Sequence, residues 1–336
     1  CPSLVPFGRA MEGARAEVAV QVPEPSRRLR HLVLGRVLPS PALMRIVSLG
    51  TKLVRRLGIG RILPSRLAGP LAGMRSLDDT SGTRGTVTGP GELGTAAVLA
   101  GCVMDPWFRP VQDATIALLA RAGYRVVVPE QQTCCGALAA HDGAAEEARR
   151  LAARNVTAFD GADVVVVTAA GCSAHIAEYG NWAEGAGDLA KRSRDVTMVV
   201  AELIAAGHLP RLPADRGTVA VQDPCHLRHA QRETAAPRTI LAAAGYSTVD
   251  VDPSGMCCGA AGIYSLVHPD TSAELGRRKA TEVEMTGSTL VASANPGCEM
   301  QLRQHLGVPY RIAHPVELYW EALSQRERHG AAESAR

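Results

Sequence analysis

Short apolar runs of strand length alternate along this chain with longer stretches whose apolar positions recur every three to four residues. The run "TAAVLAGCV" (95–103) is continuously apolar, and "VQDATIALLARAG" (111–123) has helical spacing and stops at Gly123. A second run, "YRVVVPE", then precedes the helical "GAAEEARRLAARNVTAF", and "ADVVVVTAA" follows as a third run. The order then restarts: "GTVAVQD", "ETAAPRTILAAAG", "YSTVDVD", "TSAELGRRKATEVEM" and "STLVASA". Strands without polar alternation are buried on both faces. Joined by helices, they predict an α/β fold with parallel strands and covering helices.

The restart is a sequence repeat, and the cysteines move with it. Between Cys102 and Cys134 lie 31 residues, and between Cys225 and Cys257 again 31. From Cys135 to Cys172 there are 36, and from Cys258 to Cys298 there are 39. "RAGYRVVVPEQQTCCGA" is echoed by "AAGYSTVDVDPSGMCCGA". Eight of nine cysteines therefore occupy four equivalent positions in two copies. The copies span 95–212 and 213–325. A helical region (1–80) and a glycine-rich linker (81–94) precede them, and a polar tail (326–336) follows.

Composition narrows the function. Of 336 residues, 46% are hydrophobic and 21% charged, as in ordinary globular proteins. A net charge of +3 and only 4% aromatics argue against a nucleic-acid partner. No apolar run approaches the roughly 20 residues of a membrane-spanning helix. No secretory pattern is present, and an odd cysteine count fits a reducing, cytoplasmic setting better than a disulfide framework. The chain opens on Cys1 without an initiator Met and reads as a fragment or processed form.

Each predicted strand delivers its cysteine to the carboxyl edge of a parallel sheet, where ligands bind. Cys102, Cys134, Cys135 and Cys172 converge on one rim; Cys225, Cys257, Cys258 and Cys298 converge on the other. Four thiolates suit an iron–sulfur cluster or a zinc ion. Adjacent cysteines fit two irons of a cluster more easily than one ion, and Gly136 and Gly259 allow close backbone approach. Zinc and metal-free thiol chemistry remain the alternatives. Buried free cysteine is often mere packing, but packing does not explain a duplicated register.

The pattern Cys102, x31, Cys134-Cys135-Gly136, x36, Cys172 and its repeat resemble the cysteine-rich CCG domain family. That domain occurs twice in the cysteine-rich subunit of heterodisulfide reductase, in glycolate oxidase iron–sulfur subunits, in lactate-utilisation proteins and in an anaerobic glycerol-3-phosphate dehydrogenase. "DPCHLRHAQR" and "ANPGCEMQL" look most like the glycolate oxidase type. Cys1-Pro2 resembles the end of a C-x2-C-x2-C-x3-C-P ferredoxin motif, which makes residues 1–80 the remnant of a ferredoxin-like domain and Cys1 a ligand of it.

The resemblance implies an electron-transfer subunit. It would carry [4Fe–4S] clusters on the eight repeat cysteines and no nucleotide cofactor. FAD would sit on a 2-hydroxy-acid dehydrogenase partner, with glycolate favoured over lactate, and electrons would pass to a quinone or another acceptor. The fullest CCG pattern ends in C-x2-C, whereas here His175 and Gln301 stand three residues after Cys172 and Cys298. That departure argues against heterodisulfide-reductase chemistry, which stands as the enzyme alternative; a zinc-stabilised assembly scaffold is the non-redox one.

Other features carry less. Gly89, Gly91 and Gly94 match G-x-G-x-x-G but precede a strand, so no dinucleotide site is expected. "RIVSLGTKLVRRLGIGRIL" is amphipathic and basic, a packed helix or a contact with an acidic membrane face or a partner subunit. His175 is expected on a helix N-terminus facing solvent, with a ligand role as the alternative. His226, His229 and Asp223 flank Cys225, either tuning a cluster or, for Asp223, capping the next helix. No Ser-His-Asp set, phosphate loop or carboxylate pair is present.

Overall fold

The computed structural model describes residues 7–22, 24–58, 71, 73–75, 82–213 and 215–334. The N-terminal region is helical where described: α1 (Phe7–Gln21), α2 (Pro25–Leu32), which runs into a π turn (Val33–Val37), and α3 (Pro41–Arg56). Ser40 caps α3 by accepting from Leu43 N, and Pro41 takes the first helical position, where its missing N–H costs nothing.

The first repeat is built from β1 (Val87–Thr88), β2 (Thr95–Leu99), α4 (Arg109–Ala122), β3 (Arg125–Val127), α5 (Ala137–His141), α6 (Ala145–Ala158), β4 (Val164–Val167), α7 (Ala170–Ala177), β5 (Ser193–Asp195) and α8 (Val196–Ala205). The second uses β6 (Thr218–Gln222), α9 (Ala235–Ala243), β7 (Ser247–Asp250), α10 (Pro269–Met285), β8 (Leu290–Ser293), α11 (Pro296–His305), β9 (Arg311–Ala313) and α12 (Pro315–Ser334). The sheets run β1-β3-β2-β4-β5 and β7-β6-β8-β9. Every pair is parallel except β1 with β3. The two sheets thus share one order of parallel strands, as duplication requires. Val126, Val165, Val166 and Val167 are fully buried, which explains their unbroken apolar runs. Gly123, at φ 116°, closes α4 in the left-handed conformation that lets the chain turn into β3.

The repeats are not separate bodies. One apolar cluster joins Leu118 and Leu119 of α4, Val200 and Leu203 of α8, Ile240 and Ala243 of α9, and Val316, Tyr319 and Leu323 of α12. Here α4 packs on α12 and α8 on α9, so each repeat completes the core of the other.

Three expectations change. Within 81–94, Val87 and Thr88 pair with β3, and a Cβ on Gly89 would stand 2.1 Å from Tyr124 O, so this stretch packs as the sheet's edge and is not a free linker. Part of the expected polar tail continues α12 to Ser334, with Arg121 Nη1 paired to Glu327 at 2.5 Å. Each sheet also gains a fourth parallel strand, β5 or β9, that no apolar run announces.

Candidate functional site

Every repeat cysteine lies past the carboxyl end of a strand. Cys102 sits in the turn after β2, and Cys134 and Cys135 sit in the loop after β3. Gly136 follows at φ 90° and starts α5. Cys172 is the third residue of α7. The second repeat copies this: Cys225 after β6, Cys257 and Cys258 after β7, then Gly259 at φ 88°, then Cys298 as third residue of α11. A Cβ on Gly259 would meet Ser272 O at 2.5 Å, so the turn has no room for a side chain.

The sulfurs form two equivalent strings. Cys102 and Cys134 Sγ are 3.3 Å apart, and Cys135 and Cys172 Sγ are 3.0 Å apart. Cys258 and Cys298 Sγ lie at 3.1 Å, while Cys225 contacts Cys257. All eight are free thiols, so neither Cys-Cys pair is a disulfide. Among the described residues no three His, Cys, Asp or Glu side chains converge to hold a single metal ion. A string of four thiols suits a polynuclear iron–sulfur group, whose irons take one thiolate each, better than a lone zinc.

Electrostatics favour one thiolate per site first. Hydrogen bonds from Cys102 and Cys135 hold Cys134 well below an ordinary thiol. Hydrogen bonds from Cys225 and Cys258 bring Cys257 down to about 2. Their neighbours Cys102, Cys135 and Cys258 are pushed up by sharing those protons and by burial. Cys172 and Cys298 lie in the first turns of α7 and α11.

No pattern in the sequence marks the groups that hold these loops. Asn155 Oδ1 accepts from Thr133 N at 2.8 Å, its Nδ2 donates to Cys134 O at 3.1 Å, and Tyr179 OH donates to Cys135 O at 2.6 Å. The second repeat solves the same problem with charge. Asp252 accepts from Ser254 N, Met256 N and the buried Lys279 Nζ, the last two at 2.7 Å. Gln301, in the place of the missing fifth cysteine, donates to Ser272 O at 2.8 Å, and Ser272 Oγ donates to Gly259 O.

His175 corrects an expectation. It lies in the last turn of α7, not the first, and is 4% exposed, packed against Tyr179 and Trp182. Burial pushes its pKa down to about 4. His226 stacks on His141 at 5.5 Å across the repeat seam, and His141 Nδ1 meets Glu12 Oε1 of α1 at 3.0 Å. His229 reaches Gly255 O at 3.4 Å. Asp223 does not cap a helix; Arg238 grips both its oxygens at 3.0 Å. Cys1 lies outside the described residues.

The two sites meet at the seam, where Ala170 N donates to Ala294 O at 3.1 Å. Segments 96–177 and 219–303 each match the cysteine-rich CCG domain, one per repeat. The chain is similar to a Bacillus subtilis protein named as a probable glycolate oxidase iron–sulfur subunit, 30% identical over 97% of this chain and 80% of that protein. It is 29% identical to the Escherichia coli glycolate oxidase iron–sulfur subunit over 97% of this chain and 79% of that protein. Lactate utilization protein A of Shouchella clausii is 28% identical over 60% of this chain and 87% of that protein. With both cysteine-rich domains in place and this similarity along nearly its whole length, the chain belongs to the glycolate oxidase iron–sulfur subunit family.

Proposed function

We propose that the protein is the electron-transfer subunit of a flavin-dependent 2-hydroxy-acid dehydrogenase, with glycolate as the favoured substrate of its partner. The observation that carries this reading is the duplicated string of four thiols at the carboxyl edge of each sheet. Cys102, Cys134, Cys135 and Cys172 hold one [4Fe–4S] cluster; Cys225, Cys257, Cys258 and Cys298 hold the other. Each cluster, when bound, supplies one-electron storage. The chain's own residues supply the rest. Asn155, Tyr179, Asp252 and Lys279 fix the cysteine loops, and burial keeps water from Cys102, Cys134, Cys135, Cys258 and Cys298. The lactate-utilization relatives keep lactate as the alternative substrate.

FAD and the substrate chemistry belong to the partner subunit in this reading, and a quinone accepts the electrons. The outer face of α3 supports a peripheral position on the inner membrane surface. Leu43, Ile46, Leu49 and Leu53 are exposed there, flanked by Arg45 and Arg56, and no Asp or Glu occurs between Glu24 and Asp78. A cavity of ≈ 70 Å³ lined by Met44, Arg45, Arg84 and Asp105 runs from α3 to Cys102. Among the described residues no single helix is long and apolar enough to cross a membrane.

The test is iron content in single variants of anaerobically purified protein. Cys134→Ser and Cys257→Ser should each lose about half the iron, given one cluster per repeat. Unchanged iron in both would sink the ligand assignment.

A further inference from the structure

Asn295 occupies the N-cap of α11, with φ −149° and ψ 126°, yet its side chain makes no capping bond. An Asn in that position ordinarily accepts from its own helix and stabilises it. Here neither end of the amide caps the helix backbone. Oδ1 accepts from Gly171 N at 3.1 Å, which lies in the other repeat next to Cys172. Nδ2 donates toward Cys298 Sγ at 3.6 Å, within range for a sulfur acceptor. The amide lies directly against this turn: a Cβ on Gly171 would be in van der Waals contact with Asn295 Oδ1 at 3.4 Å. A Cβ on Gly297 would be equally close to Asn295 Nδ2, so glycine frames the amide on both sides. The equivalent N-cap in the first repeat is Ala169, which has no polar group to offer Cys172.

We propose that Asn295 is a positioning residue linking the two cysteine sites, an amide bridge running from the Cys172 loop to the sulfur of Cys298. This rests on the iron–sulfur reading above. An N–H donor aimed at a ligand sulfur stabilises the added negative charge of the reduced centre, so it raises the potential of the second-repeat centre alone. The Gly171 bond holds the amide in that orientation and brings the two centres' ligand loops into contact through one side chain. In the transfer it assists, one electron leaves the reduced centre of one repeat and arrives on the oxidised centre of the other. No bond forms or breaks, and no proton moves.

The test is a potentiometric titration of the holoprotein followed by electron paramagnetic resonance, with Cys258→Ala identifying which wave belongs to the second repeat. Asn295→Ala copies the residue that the first repeat already tolerates at this position. It should keep its iron and shift only the second-repeat wave to lower potential, by about tenfold in the equilibrium, or about 59 mV for one electron. Asn295→Asp keeps the acceptor for Gly171 N but sets a negative oxygen beside Cys298, and should shift that wave further down. Two unmoved waves, or an equal shift of both, would overturn the proposal. Wild-type protein without iron would instead remove the reading on which it rests, and the iron assay that precedes the titration separates the two failures.

Discussion

Asn155 shows how one side chain can hold a cysteine loop. It is fully buried, and its amide serves Thr133 N, Cys134 O and the Tyr179 hydroxyl together. Removing it leaves buried backbone groups unpaired, each costing about 1–3 kcal/mol. Asn155→Ala should therefore lower stability by about 2–4 kcal/mol in denaturant unfolding. It should empty the first site while the second, held by Asp252 and Lys279, keeps its iron. Equal loss from both sites would contradict this division. Buried histidines set a pH dependence. His314 is 2% exposed, and burial pushes it down to about 3; the folded protein therefore resists a proton that the unfolded chain takes up near pH 6.5. Stability from this source is complete above pH 6.5 and is lost as pH falls from there towards the folded value. His314→Leu should flatten the fall of Tm between about pH 6.5 and 4 relative to the parent protein. Parallel Tm curves would refute it.

Among the elements, α3 makes the clearest external prediction. Its inner face buries Met44 and Ser48, and Trp107 Nε1 donates to Ser48 Oγ at 3.0 Å. Its outer face is apolar with cationic flanks. The protein should co-sediment with vesicles of anionic lipid and not with neutral ones. Ile46→Ser combined with Leu53→Ser should abolish that binding while iron content stays. Binding indifferent to lipid charge or to these changes would contradict a membrane role for α3. The strands differ in how plainly the sequence announces them. β2, β3, β4, β6, β7 and β8 were legible as short apolar or β-branched runs between helices. β5 ("SRD") and β9 ("RIA") are three-residue edge strands that carry charge, and only pairing with β4 and β8 makes them strands. The 81–94 stretch misled for a related reason. Its glycines suggest flexibility by composition, whereas Gly89, Gly91 and Gly94 take positive φ in turns that dock the edge of the sheet.

At the scale of the molecule, duplication was the strongest signal. Cysteine register pointed to the two sites and to the edge on which they sit, since a shared spacing constrains several elements at once. Single supporting residues have no spacing to betray them. Asn155 and Lys279 look like ordinary polar positions of amphipathic helices, and His175 could not be placed on the buried face without the helix start at Ala170. The repeats are joined through the α4, α8, α9 and α12 core, and again beside the cysteines, where Ala170 meets Ala294. The seam brings the two cysteine segments side by side within one framework. The measurement that tests this account most directly is iron and acid-labile sulfide per chain in protein purified without oxygen. Two cubane clusters on the two sets of four cysteines give about eight of each. Zinc without sulfide, or no metal at all, would contradict it.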